Sequence, residues 1–465
     1  MKKIARYLAE KKAIIIGLVI FIAIFTAAFF FASGNKKIIG LKSLSLASKV
    51  SKFLPITKDE QKELEVVNKL VETLNKKDDR TWTFMIFLQN NMELRPGGGF
   101  LGQYAVVKIK NGEVISTTIE DANLLDQRIT AKVAPPYPFK RMMQIKSWKF
   151  RDSNFSPDFP TNIEKAKYFY RLSGRGGDFD GFVAVNTEVF NHILALTGPI
   201  TVPGYSGEYN SRDGALKLEE FVEKQYIMNP ELDTQNRKMI LQKMGPMIIE
   251  KLFTLGNVTK IAELVHNDLK NKNIMLNFKD PALQSQVESV FWDGKVATDW
   301  GSDYLMLVDA NMGALKTDYY IKREISYDVD LTAEKPTVTL NIKYKNTAPY
   351  GDWRTSDYHT FLRVYVPKGS TFLERTMVGY PNIGEEFGKT YFGVIVHVLI
   401  NGETNGMLKY ELPADFNKDD YRLLVQKQSG VGDVPIKIHL KTKDGEFTQE
   451  SILNHDTRFE FQKGK

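Results

Sequence analysis

Cysteine is absent from all 465 residues, which excludes a disulfide framework, a thiolate nucleophile and any zinc–sulfur site. Histidine is scarce. His192, His266, His359, His397, His439 and His455 are scattered with no ligand spacing, so each reads as structural or surface, and no histidine metal site is expected. A charge excess is missing too. Of the formal net charge of +7, Lys2, Lys3, Arg6, Lys11 and Lys12 against Glu10 account for +4 (five minus one), leaving +3 for the remaining chain. So balanced a body offers no basic surface for a nucleic acid. Without cross-links, stability must come from buried apolar surface, which a chain of this length, in two or more domains, can supply.

Long apolar runs are also lacking, with one exception. Ala13 to Ala32 is unbroken by charge and, at about 1.5 Å per residue, spans about 30 Å, the hydrocarbon thickness of a bilayer. The pattern predicts a cytoplasmic basic tail over 1–12 and one transmembrane signal-anchor helix over 13–33. Bases ahead of the span keep the N-terminus in the cytoplasm, so the chain after Gly34 is expected outside the cell membrane, with the lipid bilayer as its first partner. A cleaved signal peptide is the alternative. Against it stand the length of the run and Phe30-Phe31-Ala32-Ser33, a poor small-residue cleavage site. Residues 34–80 read as a juxtamembrane linker and a helix. Thr57 and Glu60 form a capping box for that helix, and Leu64, Val67, Leu70, Val71 and Leu74 line one face.

The remainder of the chain is organised around Thr81 to Asp121. Thr83 to Leu88 lacks helical spacing and suits a strand buried on both faces. A polar loop comes next, with Gln89, Asn90, Asn91, Glu93 and Arg95 leading to Pro96-Gly97-Gly98-Gly99. Phe100 to Lys110 and Glu113 to Ile119 then form a hairpin about Asn111-Gly112, with Glu120 and Asp121 at its end. Two readings of the loop stand side by side. In one, Arg95 is a guanidinium fork and Gly97, Gly98 and Gly99 expose N–H donors for a phosphate or carboxylate. In the other, Arg95 is a structural pin to Glu93 and the glycines serve a sharp bend.

Downstream, Phe150-Arg151-Asp152-Ser153-Asn154-Phe155-Ser156-Pro157-Asp158-Phe159-Pro160 reads as an ordered loop. Arg151 and Asp152 either pair with each other or help hold a hard cation such as Mg²⁺. Thr161 and Glu164 cap a helix to about Leu172. A strand at Phe179 to Val185, a helix at Glu188 to Leu196 and a short strand at Ile200 to Val202 come after it. Further helices are expected over 216–226, 234–255, 258–269 and 281–291, with Asp268 to Asn273 as a polar break. This alternation implies an α/β domain over 81–302, a mixed sheet flanked by helices.

Three motifs carry a family resemblance: NNMELRPGGGFLGQY, FRDSNFSPDFP, and DGFVAVN with LALTGPI. Together they closely resemble the bacterial family catalogued as domain of unknown function 4012, from about Thr81 to Trp300. The resemblance implies a membrane-anchored envelope protein and little chemistry. The element order is more distantly similar to LytR-CpsA-Psr enzymes, which hold a polyprenyl pyrophosphate. Ile119-Glu120-Asp121, Thr197-Gly198-Pro199-Ile200 and Asn236-Arg237-Lys238 fall in the matching order. That similarity implies a ligand-binding set of Arg95, Gly97, Gly98, Gly99, Asp121, Arg151, Asp152 and Arg237. Glu120 takes the place of the family's hairpin arginine, where a carboxylate would repel a pyrophosphate.

From 303 to 465 helical periodicity gives way to short alternating runs: 319–329, 337–344, 361–366, 390–399, 407–412, 421–426, 436–441 and 458–461. About eight strands of this kind read as an all-β immunoglobulin-like sandwich, a spacer or adhesive module. Three functions are expected in turn. The first is an envelope protein that binds or helps assemble a lipid-linked or polymeric surface glycan. The second is a LytR-CpsA-Psr-like glycopolymer transferase, in which case Mg²⁺ is the expected cofactor. The third is a non-catalytic surface structural or adhesion protein.

Overall fold

A computed structural model describes residues 58–221, 234–252 and 258–461. The expected transmembrane span and the capping residue Thr57 lie outside them. Among the described residues no helix is long and apolar enough to cross a membrane. The fold is mixed α/β with three sheets, and its C-terminal region is rich in strands. The helices are α1 (Lys58–Asn75), α2 (Ala122–Arg128), α3 (Tyr137–Met142), α4 (Phe159–Leu172), α5 (Thr187–Thr197), α6 (Gly214–Glu219), α7 (Thr234–Leu252), α8 (Val258–Lys270) and α9 (Pro281–Ser289).

Contacts divide the chain into two units that do not follow the 302/303 boundary. One holds Gln89 and the described residues before it, Leu101–Arg128 and Ser173–Asp293; the other holds Asn90–Phe100, Ile129–Leu172 and everything from Gly294. The loop bearing Arg95 and the Pro-rich segment therefore belong with the C-terminal sheets. Their partners are backbone groups far along the chain, such as Val296, whose N–H donates to Asp158 at 3.0 Å. Such pairings leave no local sequence pattern.

The first unit is built on β1 (Thr81–Asn90), β2 (Phe100–Lys110), β3 (Glu113–Asp121), β4 (Gly181–Asn186) and β5 (Ile274–Phe278), in the order β3-β2-β1-β4-β5. Asn111 and Gly112 both have positive φ, 53° and 78°, the backbone that a tight two-residue hairpin requires. β1 and β4 run parallel from Phe84 beside Gly181 to Gln89 beside Asn186, and β5 lies antiparallel to β4. Trp82, Phe84 and Ile86 of β1 share one core with Val67, Leu70 and Leu74 of α1, Leu194 of α5, Ile240 and Met244 of α7, and Val265 of α8. β5 has no counterpart in the sequence reading. Five residues after a polar break are too few to establish a period.

Helix α4 corrects the expected cap. It begins at Phe159, and Asp158 rather than Thr161 caps it, accepting from the Thr161 N–H at 3.0 Å and the Thr161 hydroxyl at 2.6 Å. Pro160 is tolerated because the first turn needs no N–H donors.

The strand-rich part of the second unit is two six-stranded sheets. One follows the order β10-β13-β8-β7-β15-β16, with β7 (Ile321–Asp330), β8 (Thr337–Asn346), β10 (Thr371–Thr376), β13 (Glu403–Glu411), β15 (Val434–Thr442) and β16 (Gly445–Leu453). The other follows β11-β12-β9-β6-β14-β17, with β6 (Asp303–Val308), β9 (Tyr358–Pro367), β11 (Asn382–Glu386), β12 (Lys389–Val398), β14 (Arg422–Gln426) and β17 (Thr457–Glu460). Leu340, Ile342 and Ile438 from one sheet meet Leu362, Val394 and Leu423 from the other in one core. The sheets are mixed rather than wholly antiparallel like those of the sandwich expected, because β6 runs parallel to β14 and β7 parallel to β15. β10 and β11 escaped the sequence reading because they are exposed edge strands without alternation.

Asp303 opens β6 and is fully buried. Its carboxyl accepts from the Tyr421 hydroxyl at 2.7 Å, the Tyr327 hydroxyl at 2.9 Å and the Tyr304 N–H at 2.8 Å, and the Tyr327 hydroxyl lies 2.8 Å from that of Tyr410. Burial pushes its pKa up from 3.8 to about 7, against the opposing effect of these hydrogen bonds. A carboxyl whose folded pKa is raised contributes its full stability below the unfolded value, near 3.8, and loses it as pH climbs through about 7. Thermal melts of the wild type and Asp303→Asn between pH 5 and 8 should therefore diverge, with the wild type losing stability relative to the variant as pH rises. A constant difference across that range would remove Asp303 as the titrating group. Because β6 sits inside its sheet, a fragment of residues 310–465 should give no cooperative melt by circular dichroism. A sharp, sheet-type transition from that fragment would show β6 to be dispensable.

Candidate functional site

The polar loop places Arg95 at 1% exposure. Its Nε donates to Asp152 at 3.1 Å, one terminal nitrogen donates to the Asn311 carbonyl at 2.9 Å, and the other donates to Glu93 at 2.9 Å. Lys316 lies 3.3 Å from the second oxygen of Glu93. Burial works against the guanidinium charge, but Glu93 and Asp152 outweigh it and hold the pKa above its ordinary value. The fork expected to face a ligand is occupied by the protein's own acids.

The N–H groups of Gly97 and Gly98 are likewise engaged rather than open. Gly97 N–H donates to the Asn154 carbonyl at 3.0 Å and Gly98 N–H to the Arg95 carbonyl at 2.9 Å, while Asn154 Nδ2 donates to the Gly99 carbonyl at 2.5 Å. At Gly99 φ is +148°, and a Cβ there would stand 2.5 Å from the Asn90 carbonyl carbon and 2.6 Å from the Asn91 nitrogen. Only glycine fits so close a return of the chain. Arg151 is 43% exposed, with Nε 4.0 Å from Asp152. Asp121 and Arg237 belong to the other unit. Asp121 accepts the Asn123 N–H at 2.7 Å at the start of α2. Arg237 lies in the first turn of α7, and its side chain is outside the described residues.

At the hairpin end Glu120 forms a salt bridge with Arg175, and Tyr104 donates its hydroxyl to Glu120 at 2.9 Å. Burial raises the Glu120 pKa, but the bonds from Arg175 and Tyr104 prevail and hold it below the usual carboxylate range. Arg175 comes from the Gly-rich loop after α4, a pairing invisible in sequence because 55 residues separate the two.

A second polar group gathers at the carboxyl ends of β1 and β4. Asn186 ends β4 and caps α5, its Oδ1 accepting the Glu188 N–H at 3.1 Å. Its Nδ2 donates to Asn273 Oδ1 at 3.0 Å, and Asn273 Nδ2 donates to Asp268 Oδ1 at 2.9 Å. The same oxygen lies 2.7 Å from His192 Nδ1 on α5. Asp268 is fully buried, and the His192 side chain is 44% exposed. Asp268 Oδ2 and both amide atoms of the buried Gln89 have no hydrogen-bond partner among the described residues. The bond to Asp268 raises the His192 pKa. Partial burial lowers it, and the negative charges of Asp268 and Glu188 raise it further. Glu188, Asn191 and His192 stand at i, i+3 and i+4, so they share one face of α5; Asn191 Nδ2 donates to Glu188 at 3.3 Å.

These observations bear on kinship. Residues 79–226 match the family model described as Protein of unknown function (DUF4012). The resemblance carried by the three motifs is to DUF4012. The expected stretch ran to Trp300, whereas the matched one ends at 226. It includes Gln89, Asn186 and His192, and Asp268 and Asn273 lie beyond it. No curated protein matches the chain. Among solved structures the chain is similar to the Lin1025 protein from Listeria innocua, at 14% identity over 49% of this chain and 85% of that one, with a TM-score of 0.26.

Sequence reasoning set His192 aside as structural or surface and read Asp268 only as part of a helix break. Their separation of 76 residues hides the pair. The one usable signal was the polar run Lys270-Asn271-Lys272-Asn273 that closes the Asp268–Asn273 break directly before the apolar Ile274-Met275-Leu276.

Arg95→Ala tests the loop. It leaves Glu93 and Asp152 buried without their shared cation, a loss of about 3–5 kcal/mol. Chemical denaturation should show the midpoint falling sharply. A variant as stable as the wild type would show that the acids do not depend on Arg95.

Proposed function

We propose that this chain is a membrane-anchored, extracytoplasmic protein of the cell envelope that binds a lipid-linked or polymeric surface glycan. The anchoring is supported by the apolar run Ala13 to Ala32 and the five bases ahead of it. The binding rests on one observation, the α5 face of Glu188, Asn191 and His192 backed by buried Asp268. Carboxylate, amide and imidazole groups offer the donors and acceptors that sugar hydroxyls need. The face also belongs to the helix directly after β4, and open α/β sheets bind ligands beyond the carboxyl ends of their strands.

A LytR-CpsA-Psr-like transferase is the second reading, favoured by Arg175. Its pairing with Glu120 returns a cation to the hairpin position where that family carries arginine. The Mg²⁺ expected of such an enzyme needs only one or two carboxylates beside the substrate's own phosphates; among the described residues no three carboxylate or histidine groups gather as a metal site.

Calorimetric titration of the detergent-solubilised full chain with soluble envelope polysaccharide should show binding, weakened about tenfold by Asn191→Ala through the loss of a hydrogen-bonding group. Absence of binding at millimolar oligosaccharide would favour the structural or adhesion role. Topology is checked separately. Protease added to intact protoplasts should remove a C-terminal tag, and a tag protected until lysis would overturn the anchored, outward-facing arrangement.

A further inference from the structure

Beyond binding, we propose that His192 and Asp268 form an acid–base dyad that cleaves or transfers acyl esters. Asp268 is enclosed in the protein and holds Nδ1 of the imidazole at 2.7 Å. With Nδ1–H directed at the carboxylate, the free lone pair of the neutral ring falls on Nε2. Asn273 grips the same Asp268 oxygen at 2.9 Å and is itself held by the α5 cap Asn186, so the carboxylate is fixed from the sheet side. The remaining oxygen, Oδ2, is buried and unpartnered among the described residues. A carboxylate left incompletely satisfied in the interior favours positive charge on the ring it touches. His192 is the exposed member and Asp268 its positioning residue.

The substrate class follows from charge. Among the described residues, the charges that act on His192 are acidic, Asp268 and, on the same helix face, Glu188. A phosphoryl substrate calls for clustered cations, whereas a neutral ester needs one base that can return its proton. In the step we assign, the oxygen of water or of an alcohol bonds to the ester carbonyl carbon while its proton passes to Nε2. The tetrahedral adduct then breaks its bond to the departing alkoxide, which takes the proton from Nε2. The products are an acid, or a new ester, and an alcohol, and the imidazole ends as it began.

The test uses the full chain in detergent with p-nitrophenyl acetate as probe. The wild type should exceed His192→Gln by about a hundredfold in kcat/KM, within the usual reach of general-base catalysis. Its rate should rise with pH through the His192 pKa, read independently from the imidazole proton shifts by NMR. Asp268→Asn should lower the rate and move both the kinetic inflection and the NMR titration to lower pH. Melting temperatures of both variants separate loss of chemistry from loss of fold, and added imidazole should partly restore folded His192→Gln above the rate of the same imidazole without protein. A wild type no faster than folded His192→Gln overturns the proposal, as does a kinetic inflection unmoved by Asp268→Asn. Ester turnover that depends on His192 without any polysaccharide binding would keep the dyad and retire the glycan reading, and binding without turnover would do the reverse.

Discussion

Three pieces of chain far apart in sequence meet on one guanidinium. Arg95 carries the bend of its own loop through Glu93, the segment before α4 through Asp152, and the strand-rich region through the Asn311 carbonyl. Taking that charge out of water is costly unless every partner is in place, so the arrangement demands that the three segments reach one geometry together. The glycine bend follows from the same demand. With Arg95 held inward, the chain has little room to return, and Gly99 passes the Asn90 and Asn91 backbone at a distance that no side chain permits.

The first unit handles its buried charge differently. Asp268 faces an imidazole that is nearly half exposed, with amides behind it and one oxygen left over. Arg95 commits its hydrogen-bonding capacity to holding the second unit together, whereas the His192 pair keeps some in reserve at the surface. Sites of chemistry are where such incomplete satisfaction is retained at some cost in stability.

Elements with their own period could be read from the chain alone. The Asn111-Gly112 hairpin, the α5 helix and the largely buried β1 all sit within a few residues of their expected bounds, because turn chemistry and apolar spacing are local. β5, β6, β10, β11 and β16 could not, since a short strand or an exposed edge strand is defined by its neighbour. The polar loop was recognisable as special, and both of its readings used the same residues. The difference between them lies in whether Arg95 faces water or Asn311, a contact 216 residues away. The His192 pair was hidden for the same reason, with neither partner placed in a motif of its own.

The second unit is assembled from three separate stretches of chain, Asn90–Phe100, Ile129–Leu172 and the region from Gly294. A growing polypeptide exposes the first two long before the third exists. Until Asn311 and Val296 are made, Arg95 has Asp152 but not the carbonyl that completes its fork, and Asp158 lacks its backbone donor, so the loop that looks most like a finished ligand cradle is an open half of a joint. Domains tend to complete themselves in order of synthesis, and this one is obliged to wait for its last third, so the age of the nascent chain decides whether that loop is a surface or an interior.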